Sequence, residues 1–244
     1  MQFSRHSRKF ITGFVVLTML SACSASVTKS NFNDPYETSS RKMHAFNKGF
    51  DKVLVNPASK GYIAATPPVL VRMIGNFASF LGLPLQALNN ILQGNPKALA
   101  QTAATAAVNA FTFGLGDLAS EAGIPDNNAD FGQTLNVWKF KQGIYYEMPI
   151  IGPSTTRDTV GFFVDLFINP LGLVGTSSEH WASFGFTVLD KLGKRSQYSA
   201  FYNETLYGSE DSYATARSLY LQNRNYFLHN GVNVNTLEDP FAFN

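Results

Sequence analysis

The side chains able to do chemistry are few and scattered. Beyond residue 22 the histidines are His44, His180 and His229, far apart, with no H-E-x-x-H run and no cysteine partner. That spacing does not fit a metal site, and each reads as a surface or capping residue. There is no G-x-S-x-G elbow, so the hydrolase fingerprint is missing. Asp126 with Asp130, and Asp158 with Asp165, are carboxylate pairs of the sort used in acid–base work. Asp158, however, falls in the first turn of a predicted helix, where an acid complements the dipole. Gly114-Leu115-Gly116 resembles a dinucleotide turn but follows a helical run, where that motif needs a strand. No catalytic group, cofactor or metal is expected from these residues. One reactive group is left, the thiol of Cys23, the sole cysteine in 244 residues.

Its surroundings define a use for it. Arg5, His6, Arg8 and Lys9 precede an apolar stretch from Phe10 to Leu20, 11 residues long and ending in Leu20-Ser21-Ala22-Cys23. This is the size of a signal-peptide core and too short to span a bilayer. Small residues followed by cysteine resemble the lipobox of bacterial lipoproteins, in which the thiol is acylated and cleavage leaves it as the new N-terminus. Residues 1–22 are therefore expected to be a lipoprotein signal peptide, and 23–33 a lipidated, polar tether. Ser24 stands where an Asp would be the usual inner-membrane retention signal, which favours the outer membrane, with the body on its periplasmic side.

Composition narrows the class further. Charged residues are only 15% of the chain while Phe alone occupies 21 positions, a bias opposite to that of disordered chains. The net charge of +2 disappears without the leader, since residues 1–22 hold three bases and no acid. A nucleic-acid partner is excluded, because no basic patch survives beyond the short run Lys191, Lys194, Arg195.

The elements that must position any site are mostly helical. Asp34-Pro35-Tyr36-Glu37 reads as a capping box opening a helix to about Val55, stopped by Asn56-Pro57. Further helices are predicted at 58–65, Val69–Phe80, Pro84–Gln93 and Pro96–Phe113, the last two joined by the compact turn Gln93-Gly94-Asn95-Pro96. Thr134–Phe140 and Ile144–Met148 flank Lys141-Gln142-Gly143 and read as a β-hairpin. Ser154 is the expected N-cap of a helix through Ile168 that is apolar almost all round, a pattern found in cores or in lipid. Helices near Glu179–Leu192, Gln197–Tyr207 and Asp211–Leu228 follow, with Gly231 closing the last. From Pro67 to Gly116 the only charges are Arg72 and Lys97, and from Thr159 to Ser178 the only one is Asp165. With no uninterrupted apolar run of 18, these pieces are expected to lie within one leaflet and not to cross both.

Several short motifs then fall into one order: Asp34-Pro35-x-Glu37, Phe46-Asn47 with Asp51, Asn76-Phe77, Leu92-Gln93-Gly94, Asp130-Phe131-Gly132-Gln133-Thr134, Gly152-Pro153-Ser154 with Arg157-Asp158 and Asp165, and Asp211-x-Tyr213 with Arg217, Tyr220 and Arg224. In this the chain is similar to the MlaA (VacJ) family of outer-membrane lipoproteins, roughly from Asp34 to Gly231. It departs at Ser40-Arg41, where the family has Asn-Arg, at Thr105-Ala106, where it has Arg-Phe, and at Gly143-Ile144-Tyr145, where it has Gly-Pro-Tyr.

The resemblance implies a mainly α, ring-like protein of short amphipathic helices in one leaflet. It implies one domain at 34–231, a tail at 232–244 and a small hairpin near 134–148. It also implies a channel that takes misplaced phospholipid from the outer leaflet, beside a trimeric porin, to a soluble periplasmic lipid carrier, with no bond broken. Asn47, Arg72, Asn89, Gln93, Thr105 and Asn109 are the candidates for lining such a channel. Asp34, Pro35, Phe46, Asp51, Gly94, Phe131, Gly132, Gln133, Pro153, Arg157 and Asp158 are expected to hold its shape. Two other readings remain open at this level: a structural lipoprotein associated with a porin, and a periplasmic hydrolase of lipid or peptidoglycan. If Cys23 is the acylation site, labelled palmitate enters the parent chain in cells and Cys23→Ala abolishes the incorporation.

Overall fold

The computed structural model describes residues 33–171 and 177–228. Cys23, the signal peptide, the tether, Gly231, His229 and the tail lie outside them, as does the side chain of His180. The elements run α1 (Glu37–Phe50), a π turn at Asp51–Val55, α2 (Asn56–Ala65), α3 (Pro68–Leu92), α4 (Pro96–Ala110), α5 (Leu118–Glu121) and α6 (Phe131–Val137). Strands β1 (Tyr145–Met148) and β2 (Gly152–Thr155) then precede α7 (Thr156–Ile168), α8 (Ser177–Gln197), α9 (Ser199–Asn203), a second π turn (Glu204–Gly208) and α10 (Ser212–Leu228). The fold is mainly α with one two-stranded antiparallel sheet, in register Tyr145 to Thr155 and Met148 to Gly152.

Local chemistry explains the joints. Gly94 turns the chain with φ +63° and Asn95 caps α4 by accepting the Ala98 N–H, as that turn demands. Asn56-Pro57 does not stop the first helix. Pro57 lacks an N–H and crowds the carbonyl four residues back, and the backbone widens into the π turn just before it and continues. Likewise Pro84 does not start a helix: it sits inside α3, which runs unbroken for 25 residues. At about 1.5 Å per residue that is ~37 Å. By length and composition α3 is thus able to cross a membrane, and only 6% of its most apolar window is buried. The expectation of short, interrupted pieces fails here because one internal proline removes a single hydrogen bond and leaves the rest of the ladder.

The hairpin is displaced. Thr134–Phe140 is not a strand, because Asp130 caps the Gln133 N–H and starts α6 instead. Tyr145–Met148, from the run Ile144–Met148, supplies the first strand and not the second, and its partner is Gly152–Thr155. Ser154 consequently lies in β2, and Thr155 caps α7. At the N-terminus Asp34 is no cap either: Tyr36 holds that position without a side-chain bond, and Asp34 is buried against α10.

Polarity is inverted. Among the described residues, buried polar or charged side chains outnumber buried apolar ones two to one, while large apolar side chains crowd the outside. On α7 the inward face carries Arg157, Asp158, Gly161 and Asp165, leaving Val160, Phe163, Leu166 and Phe167 exposed. Phe111 and Phe113, after α4, are 84% and 82% exposed. Phe46 is also exposed, stacked on Phe50 and not packed inside.

The tightest contact is α6 against α7. A Cβ on Gly161 would stand 2.3 Å from the Gly132 nitrogen and 2.7 Å from its Cα. Gly161→Ala should therefore destabilise the fold by at least ~1–3 kcal/mol through overpacking. Gly185→Ala on α8, where nothing lies within 4 Å, should be neutral or gain up to ~1 kcal/mol. Denaturant midpoints of the two variants in detergent check the contrast.

Candidate functional site

Three hollows adjoin, the first two along α3 and α8 and the third beside α4, α6 and α10. The first, about 450 Å³, lies between α2, α3 and α8 and is lined by Arg72, Asn76, Ser79, Asp190 and Lys194. The second, about 360 Å³, shares Asn76, Ser79, Asp190 and Lys194 with it and adds Gln86, Thr105, Asn109, Asp117 and Lys191. The third, about 390 Å³, shares Asp126 and Asn128 with the second and reaches Lys97, Gln101 and Gln133. Shared lining residues place them side by side as one partly open passage, polar along the second and third hollows and more apolar along the first, where Ile63, Pro68 and Val71 also line it. Both charge signs line it. Asp190 and Lys194 pair at 2.8 Å, and Asp126 accepts from Asn128 at 2.9 Å. Asp117 caps the Ser120 N–H and accepts from Asn109, both at 3.3 Å. Arg72 lines the first hollow and Lys191 the second, both exposed, and Lys194 lines both hollows.

Of the six candidate lining residues, the structure brings Arg72, Thr105 and Asn109 to the passage. The other three are used to build the fold. Asn89, fully buried, donates to Asp165 at 2.9 Å and accepts from Thr134 at 2.8 Å. Gln93 donates to the same Thr134 hydroxyl at 3.1 Å. Asn47 donates to Glu147 and to the Met148 carbonyl and accepts the Ile150 N–H, bracketing the hairpin. Asn and Gln look alike in a sequence whether they face a cavity or a neighbour. The passage residues not foreseen, Asp190, Lys191 and Lys194, carried a signal: they are the one dense charged run in a charge-poor chain.

Four clusters hold the wall in place. Arg195 of α8 grips Asp51 with two hydrogen bonds of 2.8 Å, and Tyr207 donates to the same carboxylate at 2.7 Å. Burial alone would raise the Asp51 carboxyl, but Arg195 and Tyr207 carry it below the usual range. Asp34 accepts from Tyr213 and Arg217, both at 2.5 Å, which docks the chain start on α10. Arg224 bridges Asp130, the cap of α6, and Asp158 on α7, with Tyr220 donating to Asp158 at 2.6 Å. Asp158 is therefore a cross-link between helices and not merely a complement to a dipole. Burial pushes the nearby Asp165 carboxyl up, against the Phe131 N–H and Asn89 that bind it. Arg157, buried in the same region, donates to Asn136 at 2.9 Å.

His44 is not on the surface. Its Nδ1 lies 2.8 Å from Glu147 and its Nε2 3.1 Å from the Ser212 hydroxyl. That is the order of a nucleophile, a base and a carboxylate. However, the N–H groups that open α10, which would have to hold an oxyanion, are already bonded by the Asp211 side chain. The trio also stands apart from the three hollows. It clasps α1, the hairpin and α10 together. Among the described residues no group of three metal-binding side chains occurs.

A family model described as MlaA lipoprotein matches residues 32–227. A protein of Rickettsia bellii is 32% identical over 197 residues, 78% of this chain and 75% of its own length. The intermembrane phospholipid transport system lipoprotein MlaA of Haemophilus influenzae is 27% identical over 220 residues, 86% of this chain and 84% of its own. A solved structure, reported as the structural basis for maintenance of bacterial outer membrane lipid asymmetry, shares the fold. Its TM-score is 0.67 at 24% identity, over 80% of this chain and 98% of that one.

The clamp at Asp51 has a titratable member. Burial pushes the Tyr207 phenol up to about 12, helped by its bond to Asp51. An unfolded tyrosine titrates near ~10, so its neutral form stabilises the fold fully below that pH. The contribution is lost as pH rises through the folded value. Tyr207→Phe should flatten the fall in stability across the interval, measured by denaturant midpoints at successive alkaline pH values.

Proposed function

This chain belongs to the MlaA lipoprotein family, and we propose from that premise that it is an outer-membrane lipoprotein of intermembrane phospholipid transport. In this reading it is anchored through Cys23, and a single helical domain over 34–231 is sunk in the periplasmic leaflet. It moves phospholipid across the membrane face and breaks no bond. The observation that carries the reading is the inverted polarity: a passage of Asn, Gln, Ser, Thr and both charge signs behind a shell of exposed Phe, Leu, Val and Ile.

The physics is direct. A phospholipid leaves its leaflet slowly because its charged head must be stripped of water, at a cost of several kcal/mol or more. Polar walls that replace that water lower the cost, and an apolar outer shell keeps the protein where the tails are. Arg72 and Lys191 suit the head's phosphate as charge-assisted donors. The carboxylates along the same wall suit the ammonium of a zwitterionic head. A trimeric porin is the fitting neighbour for the apolar exterior, and a soluble periplasmic carrier the fitting acceptor for released lipid. Maintaining lipid asymmetry is then the outcome of clearing the outer leaflet.

Deleting the gene should raise outer-leaflet phospholipid, measured by labelling of surface-exposed ethanolamine heads, and sensitise cells to SDS with EDTA. The parent gene should restore both. A copy carrying Ser120→Trp, which fills the central hollow from an exposed position, should restore neither while accumulating normally. Unchanged asymmetry in the deletion strain would refute the reading.

A further inference from the structure

A fourth hollow, about 220 Å³, opens between α3 and α4. Its character differs from the passage. The walls are Leu81, Pro84 and Ala87 from α3 and Thr102, Ala103 and Ala106 from α4, with Phe80 and Leu83 at its inner end. Pro84 and Ala103 are exposed at its mouth, and the Thr102 hydroxyl is turned away into a 2.9 Å bond with Asn90. The groove exists because α4 carries alanines where it faces α3.

Phe80 and Leu83 also line the central polar hollow. Two side chains thus separate a wet cavity from a greasy one. The Phe80 ring is held by the turn after α4: Gly114, at φ +75°, packs its backbone on the ring, and a Cβ there would lie 2.6 Å from Phe80 Cδ1. Only glycine both adopts that backbone conformation readily and leaves the ring its room.

Resting on the phospholipid reading above, we propose that the α3–α4 groove is a binding site for one acyl chain of the lipid whose head occupies the central hollow, with Phe80 as the sill it straddles. The occupant follows from the two chemistries side by side. A molecule spanning the sill must be charged or polar at one end and an unbranched hydrocarbon at the other. The groove is too small and too dry for a second head. Lipid thereby enters sideways between two helices, one tail leading into the groove while the head turns inward.

The test compares diacyl and single-chain phosphatidylethanolamine retained by the purified full chain in detergent, counted by mass spectrometry. Ala106→Trp fills the groove and should cut retained diacyl lipid at least five-fold, and lysophosphatidylethanolamine, whose single tail needs the same groove, at least as much. Ala104→Trp, on the same helix outside the groove, should behave as the parent does. A measurement needing no variant uses phospholipid bearing a diazirine in mid-chain or on the head. The chain probe should label peptides containing 80–87 and 102–106, and the head probe those containing 186–194. Diacyl retention unchanged by Ala106→Trp, or equal labelling of the groove by both probes, overturns the acyl site and leaves the transport reading standing. A parent chain that retains no phospholipid of either kind overturns both.

Discussion

A carboxylate taken out of water must be met by a cation, and this fold is organised around that requirement. Asp51, Asp34, Asp130 and Asp158 come from the first two-thirds of the chain. Arg195, Arg217 and Arg224, which answer them, come from α8 and α10. A buried pair returns little net stability against a well-packed apolar alternative, but removing one partner leaves a stranded charge and is costly. The pairs therefore act less as glue than as addresses. Each arginine has one position in which its acid is satisfied, and that position fixes where the late helices close on the early ones.

This way of building the interior frees the exterior. In a water-soluble helical protein the apolar side chains are needed inside, and few large ones remain for the surface. Here polar clusters at α1, α6, α7 and α10 do the internal work, and Phe, Leu, Val and Ile are turned outward. An exterior of that kind is stable only against hydrocarbon or a protein partner. The same division creates the passage. Between α3 and α8, Phe77 packs on Phe186 with ring centroids 4.8 Å apart, and beside that contact Asn76, Ser79, Asp190 and Lys194 line a wet space.

The Gly132–Gly161 crossing is where backbone shape matters most. With no side chain at either position, α6 and α7 meet closely enough to place Asp130 and Asp158 within reach of one arginine. Asp165, Asn89, Thr134 and Gln93 extend that cluster to α3, one wall of the passage. The site's geometry thus depends on residues that never face it.

Much of the local structure was legible in the sequence. The Gly94-Asn95-Pro96 joint, the apolar helix through Ile168, the lack of charge between Pro67 and Gly116 and the order of family motifs are all properties of neighbouring residues, so spacing alone reveals them. Proline misled at positions 57 and 84, since a missing hydrogen bond is tolerated when the rest of a helix is supported. Asp130 misled the hairpin, because a cap overrides β propensity only when the helix has something to pack on. What the tertiary structure alone decided was which polar residues are structural and which face the passage. Asn89 and Asn109 have the same side chain; one binds Asp165 and Thr134 and meets none of the hollows, and the other lines the central one while it accepts the Ala119 N–H. Hydrogen-bonding capacity is carried by the residue type, whereas the partner that uses it is set by elements distant in the chain.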